Sequence, residues 1–242
     1  MSSRRRSSET KKEDEEGVII MVLLPLYDQH GHLFLDVNGH LWLLDTGAPT
    51  SFGRSSTLTL EGMEFQVGDD YMGLTLDGLS QYIDIECEGL LGMDTLGRLD
   101  IVFDVPGGTA EFSPDRIELD GQAVPVEKIM GIPVVEVDAQ GTTLRAFFDT
   151  GAQVSYFSRE ILSGAPAIGV VDDFYPGYGR FQTEIHEVTI RLGPAEFRLR
   201  GGCLPEGLGA VLTMTGTSAI VGNQALRERQ IGFFPRRGQM VL

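Results

Sequence analysis

Two acidic residues occur in the same short context about a hundred positions apart, Leu43-Leu44-Asp45-Thr46-Gly47-Ala48 and Phe147-Phe148-Asp149-Thr150-Gly151-Ala152. In each, an apolar run ends on the aspartate and a loop opened by glycine follows. Two carboxyls held about 3 Å apart cannot both ionise, so they share one proton. The ionised member then takes a proton from a water while the protonated member hydrogen-bonds a carbonyl oxygen. That is the chemistry of amide hydrolysis, and Asp45 and Asp149 are the candidate catalytic residues, read as halves of one site. Gly47 and Gly151 have no side chain, so two such loops can approach each other closely.

The elements that must position this pair are themselves repeated. Val18–Leu26 reads as a first buried strand, followed by a turn at His30-Gly31-His32. The run Leu33 to Val37, an Asn38-Gly39 turn and the strand His40 to Leu44 lead into Asp45, and Asn-Gly between apolar runs is a strong hairpin signal. The second copy runs Ile132 to Val137, turns at Asp138 to Gly141, and continues from Thr142 to Phe148 into Asp149. Each copy closes alike. Gly89-Leu90-Leu91-Gly92 precedes a short helical stretch, Met93 to Leu99, and the strand Asp100 to Asp104; Ala219-Ile220-Val221-Gly222 precedes Asn223 to Arg229 and the strand Gln230 to Phe234.

These four motif instances resemble the aspartic proteases, in which two β-rich lobes each give one Asp-Thr-Gly to a shared site and support it with an apolar-apolar-Gly segment. The resemblance spans nearly all of residues 17–242. It implies an all-β chain with short helices and a bilobal acid-protease fold of two pseudo-two-fold-related, retropepsin-like lobes, 17–125 and 126–242, behind a disordered charged tail, 1–16. It also implies that Thr46 and Thr150 cross-link the two loops through their hydroxyls, and that no metal or cofactor is needed. Ala48 and Ala152 stand where pepsins favour Ser or Thr. Without that outer hydroxyl the carboxylate loses a hydrogen bond to its charged form, which leaves its pKa higher. A mildly acidic optimum is expected, not one below about pH 3.

The copies differ in one place. Thr57 to Phe65 matches Val188 to Phe197 in pattern, but in the second copy about thirty extra residues, Ser158 to Glu187, come first. They include Phe174-Tyr175-Pro176-Gly177-Tyr178-Gly179-Arg180-Phe181, a glycine-rich tip with aromatics, the composition of a mobile flap over a cleft. A single flap from the second lobe, with Tyr175, Gly177 and Tyr178 against substrate, is expected. In pepsin-like enzymes the flap belongs to the first lobe.

Composition narrows the function further. The net charge is −16, and residues 1–16 hold five basic and five acidic groups, so the remaining chain carries all of it. Such a body repels phosphate backbones and anionic membrane surfaces, so neither nucleic acid nor membrane is an expected partner. The apolar run Val18–Leu26 is too short to span a bilayer and lacks a cleavage site. Cys87 and Cys203 make no disulfide framework. Reduced thiols and no signal peptide point to the cytoplasm.

Other constellations are weaker. His30 and His32 bracket a turn, where solvated imidazoles are expected, and with His40 and His186 they form no metal pattern. Trp42 reads as core. No Gly-x-Ser-x-Gly elbow supports a serine hydrolase, and glycosidase acids sit farther apart, about 5 Å or more. The reading is an aspartic endopeptidase acting on a peptide or protein bound extended in the cleft. One copy carries both aspartates, so a monomer suffices. The competing reading is a peptide-binding module that keeps the cleft and has lost turnover.

Overall fold

The computed structural model describes residues 13–14, 17–18, 21–60 and 62–242. The expected disordered tail therefore lies outside the described residues, except that β1 (Glu13–Asp14) pairs antiparallel with β2 (Gly17–Val18). The first strand of the body is β3 (Val22–Gln29), which starts later and runs further than the apolar run alone suggests, because alternate residues up to Leu26 are buried while the rest reaches solvent. It leads into β4 (His32–Val37) and β5 (His40–Leu44), then β6 (Phe52–Gly53). Two hairpins follow, β7 (Thr57–Leu60) with β8 (Met63–Gln66), and β9 (Asp70–Tyr71) with β10 (Leu74–Thr75). Helix α1 (Leu76–Ile83), β11 (Gly89–Leu91), α2 (Met93–Leu96), β12 (Asp100–Asp104) and β13 (Thr109–Ser113) complete the first half.

The second copy of the plan opens on β14 (Ala123–Pro125), just before the expected boundary at 126, and continues through β15 (Glu127–Ile129), β16 (Ile132–Ala139), β17 (Thr142–Phe148), β18 (Ser155–Tyr156) and α3 (Arg159–Leu162). A long hairpin of β19 (Ala167–Tyr175) and β20 (Gly179–Leu192) turns into β21 (Ala195–Gly202). Helix α4 (Glu206–Met214), β22 (Ala219–Val221), a 3-10 turn (Asn223–Leu226), β23 (Ile231–Phe234) and β24 (Gln239–Val241) close the chain. The protein is all-β with short helices. At the helical stretches expected after the two apolar-apolar-Gly segments, α2 and the 3-10 turn are one turn each.

Ten strands form one sheet in the order β14-β24-β23-β12-β13-β3-β4-β5-β11-β6, and eight form another, β15-β16-β17-β22-β18-β21-β20-β19. Within the first, β12 meets β23 antiparallel with Ile101 opposite Phe233 and Phe103 opposite Ile231. Around that pair the two halves contribute matching strands, β13 and β3 on one side, β24 and β14 on the other. The match reaches single hydrogen bonds: Leu26 N–H donates to Gly108 O at 2.9 Å, and Val126 N–H to Gly238 O at 2.8 Å. The chain passes from one sheet to the other at Val126, between β14 and β15.

Local sequence fixes the turns that hold this plan. Asn38-Gly39 and Gln140-Gly141 both take positive φ, at 57° and 88°, and at 52° and 79°. That conformation suits the twist of flanking strands and favours Gly in second place. The carboxylates of Asp36 and Asp138 accept from the Gly39 and Gly141 amides at 2.6 and 3.1 Å. Below the loops, Phe103, Phe148 and Phe233 pack with ring centroids 6.0 and 6.4 Å apart, each fully buried and each contributing about 1.5–3 kcal/mol. Asp100, fully buried, accepts from Arg236 at 2.9 Å and Arg237 at 2.7 Å, tying the two halves across β12 and β23. Trp42 is buried. Among the described residues no helix is long and apolar enough to cross a membrane.

Candidate active site

Asp45 and Asp149 leave β5 and β17 at equivalent places. A parallel neighbour lies beside each strand, β11 beside β5 and β22 beside β17. The Asp45 amide donates to Leu91 O at 3.0 Å and the Asp149 amide to Val221 O at 2.9 Å. The glycine after each segment passes tightly under its own loop, with the Gly92 amide on Ser51 Oγ at 2.9 Å and the Gly222 amide on Ser155 Oγ at 3.0 Å. A backbone that donates at both ends of each loop leaves the aspartates little freedom.

The threonines lock the loops to each other. Thr46 Oγ1 donates to Phe148 O at 2.6 Å and accepts from the Thr150 amide at 3.0 Å; Thr150 Oγ1 donates to Leu44 O at 3.0 Å and accepts from the Thr46 amide at 3.0 Å. Both threonines are fully buried, so four polar groups are satisfied only because the loops face each other.

The glycines are required by the same approach. A Cβ at Gly47 would lie 2.5 and 2.6 Å from the two carboxylate oxygens of Asp149, and one at Gly151 would lie 2.7 Å from both of Asp45. The carboxyls stand close enough for the charge of Asp149 to act on Asp45. One oxygen of each is turned into its own loop, Asp45 Oδ1 accepting from the Gly47 and Ala48 amides at 2.9 and 3.0 Å, and Asp149 Oδ1 from those of Gly151 and Ala152 at 2.9 and 3.2 Å.

Burial pushes both carboxyls above the usual range, and the charge of Asp149 pushes Asp45 well above it. The loop amides act the other way on each. Such a pair keeps a proton near neutrality and has one acid and one base to offer.

The dyad opens on a cleft of about 320 Å³, lined mostly by apolar side chains. Over it lies the β19–β20 hairpin. Tyr175 and Pro176 line the cleft, and burial with the Asp149 and Asp45 charges raises the Tyr175 phenol. Gly177 sits at the tip with φ 75°, and Tyr178, 51% exposed and packed edge-on to Phe181, is not among the residues that line the cleft, contrary to the expectation that it meets substrate. The hairpin rests on the first half, where Phe174 stacks on Tyr82 at 4.4 Å and Arg180 donates to Gln81 O at 2.8 Å.

Several cleft residues are not legible in the sequence. Tyr71, Met72 and Leu74 come from the β9–β10 hairpin of the first half, a second, short arm beside the single flap that the sequence leads one to expect. Its Tyr71 phenol is pushed up to about 12 by burial and by Tyr175 and the dyad charges. The Met72-Gly73 pair, with φ 52° and 79° and the Gly73 amide on Asp70, is the one signal for it in the sequence. Asp173 of β19 is half-buried against the Tyr156 hydroxyl, which donates to it, and desolvation raises its pKa. His32 is a correction: expected as a solvated turn residue, it is 4% exposed and lines the cleft. It opens β4, whose residues His32 to Leu35 are all buried, while His30 stays exposed on the turn. Among the described residues no group of three His, Cys, Asp or Glu is placed to hold a metal ion.

No protein-family model matches the sequence, and no curated protein matches it. Among solved structures, the chain is similar to the solution structure of Simian Foamy Virus (mac) protease, at 16% identity over 37% of this chain and 86% of that one, with a TM-score of 0.28.

Proposed function

We propose that the chain is an aspartic endopeptidase of two lobes, residues 17–125 and 126–242, with Asp45 and Asp149 as its catalytic dyad. The observation that carries the reading is the reciprocal contact of the two Asp-Thr-Gly loops, in which each glycine faces the other loop's carboxylate. One carboxylate takes a proton from a water between them as that water attacks the scissile carbonyl carbon. The protonated carboxyl hydrogen-bonds the carbonyl oxygen as it gains negative charge. Collapse of the tetrahedral species then returns a proton to the departing amine. Thr46 and Thr150 hold the loops, and Gly47 and Gly151 admit the approach.

The substrate is a peptide or protein segment lying extended between the dyad and the β19–β20 hairpin, its backbone hydrogen-bonded as an added strand. Tyr175 faces it, while Gly177 and Tyr178 shape the tip that must lift for entry. One copy supplies both aspartates, so the active form is a monomer without cofactor.

The test is cleavage of a mixed peptide library from pH 3 to 8 by the parent chain and by Asp45→Asn and Asp149→Asn, with a statine-type inhibitor as probe. Cleavage by the parent alone, stopped by the inhibitor and strongest at mildly acidic pH, is the expected result. Binding of the inhibitor with no cleavage at any pH would replace the enzyme by a peptide-binding module.

A further inference from the structure

The cleft has two sides of matched build about the dyad, and they part at one carboxylate. Leu43 of β5 lies beside Leu90 of β11, and Phe147 of β17 beside Ile220 of β22, at the same ladder positions in the two halves. All four line the cleft. On the first-half side the wall is completed by Leu74 and Leu79, both buried, and the only carboxylate there is Asp45 of the dyad. On the second-half side Leu204 and Leu212 continue the apolar wall, and Tyr156, Phe181 and Asp173 then close it.

Asp173 precedes Phe174 on β19, and strand alternation sends the two side chains to opposite faces. Phe174 stacks on Tyr82 of the first half, while Asp173 meets Tyr156 of the second. The Tyr156 hydroxyl donates to Asp173 Oδ2 and the Phe174 amide to Oδ1 at 2.8 Å. A carboxylate accepts about four hydrogen bonds, so capacity remains. No Lys or Arg lines the cleft, and no ion pair among the described residues involves Asp173. His32, whose pKa burial lowers from 6.5 to about 4, brings no charge near neutrality. A half-buried carboxylate without a cation carries a desolvation cost that a ligand bringing one would offset. The Tyr156 and Phe181 rings, with centroids 6.1 Å apart, stand beside it. Aromatic faces and an apolar wall suit the stem and charge of an alkylammonium or guanidinium side chain.

We propose that Asp173 selects the substrate. Of the two residues flanking the scissile bond, the one over the second-half side is Lys or Arg, its stem packed on Ile220 and Leu212 and its charge on Asp173. The other is a large apolar residue against Leu43 and Leu90. Recognition of this kind rests on the cleft and dyad assigned under Proposed function, but it can be read from binding without turnover.

The experiment uses statine-type peptides with Lys, Arg or norleucine at each of the two residues beside the statine. They are titrated near pH 7 into the parent, Asp173→Asn, Asp173→Leu and Asp172→Asn, and cleavable peptides with the same replacements give kcat/KM. Asp173→Asn keeps an oxygen for the Tyr156 hydroxyl. Asp172→Asn removes the same charge one residue away, where the side chain is exposed and bonded to Gln182. At one position Lys and Arg are expected to bind about 10-fold or more tighter than norleucine in the parent and in Asp172→Asn, and within about 2-fold of it in both Asp173 variants. At the other position norleucine is preferred throughout. Norleucine equal to or better than Lys at both positions in the parent overturns the inference, and that comparison needs no variant to fold. A basic preference that survives in Asp173→Asn also overturns it, as does one that Asp172→Asn lowers equally, since net charge would then be the cause. Selective binding of the Lys peptides by a chain that cleaves nothing supports the inference and overturns the hydrolytic reading alone. Cleavage with apolar preference at both positions does the reverse.

Discussion

The Asp45 loop and the Asp149 loop leave equivalent strands, rest on equivalent segments and exchange equivalent threonine contacts, yet their surroundings differ in polarity and in cover. In the cleft lining His32 of the first half stands where the second half has Ile132, and Asn223, which donates to Thr150 O, stands where the first half has Met93. The first half reaches over the cleft with four strand residues, β9 and β10, and the second with a hairpin of nine and fourteen, β19 and β20. A duplicated scaffold fixes where two carboxyls meet. The differences between copies decide what closes over them.

If the copies are equal at the threonines, the double variant Thr46→Val/Thr150→Val leaves four buried backbone groups without partners, at about 1–3 kcal/mol each. That is comparable with a whole domain's stability of about 5–15 kcal/mol, so it is expected not to fold by circular dichroism. Each single variant should lose about half as much, by equal amounts. A large inequality in urea unfolding would show that the loops do not bear on each other symmetrically.

The tie between halves at Asp100 comes next. Asp100→Ala leaves Arg236 and Arg237 without their buried acceptor, and breaking such a contact costs about 3–5 kcal/mol. The residue at the matched position, Gln230, carries no charge to make such an ion pair, so Gln230→Ala should change stability by less than about 0.5 kcal/mol. Chemical denaturation of both variants checks the contrast.

The acid side of the stability curve separates His32 from Ile132. Burial lowers the His32 pKa from 6.5 to about 4, with Arg227 also lowering it and the Gly151 carbonyl and Asp28 raising it. The unfolded chain therefore takes the proton first as pH falls. Stability from this residue is present above about pH 6.5 and is lost as pH drops to about 4, by about 3 kcal/mol at about 1.4 kcal/mol per unit. The dyad carboxyls, raised by burial, act with opposite sign and lose stability as pH rises. The difference curve between parent and His32→Gln isolates the histidine, and a flat difference between pH 7 and 4 would show that its ring is solvated.

The smallest effect concerns cover. Tyr82→Ala removes the stack under Phe174 and the face beneath Arg180, worth about 0.5–1.5 kcal/mol. Hydrogen exchange in residues 167–182 should quicken several-fold while the β17 and β22 amides keep their protection. Equal quickening everywhere would mean the hairpin is part of the global fold and not a separately opening arm.

Asp-Thr-Gly twice, the X-Gly turns, the apolar-apolar-Gly segments and the glycine-rich Tyr175-Pro176-Gly177 tip are all legible in the amino-acid sequence. They are local patterns, and local patterns are set by backbone sterics and strand alternation within a few residues. Those determined the β class, the repeat and the two aspartates as candidates. The tertiary structure alone decided that His32 turns into the cleft, that Tyr156 meets Asp173, that Asp100 takes two arginines from the other end of the chain, and that Tyr71 and Met72 form a second arm. The side-chain pairs among these join residues from 17 to 137 positions apart. Their energies come from burial and from satisfying polar groups across the interface, and no spacing in the sequence encodes which distant group will be there.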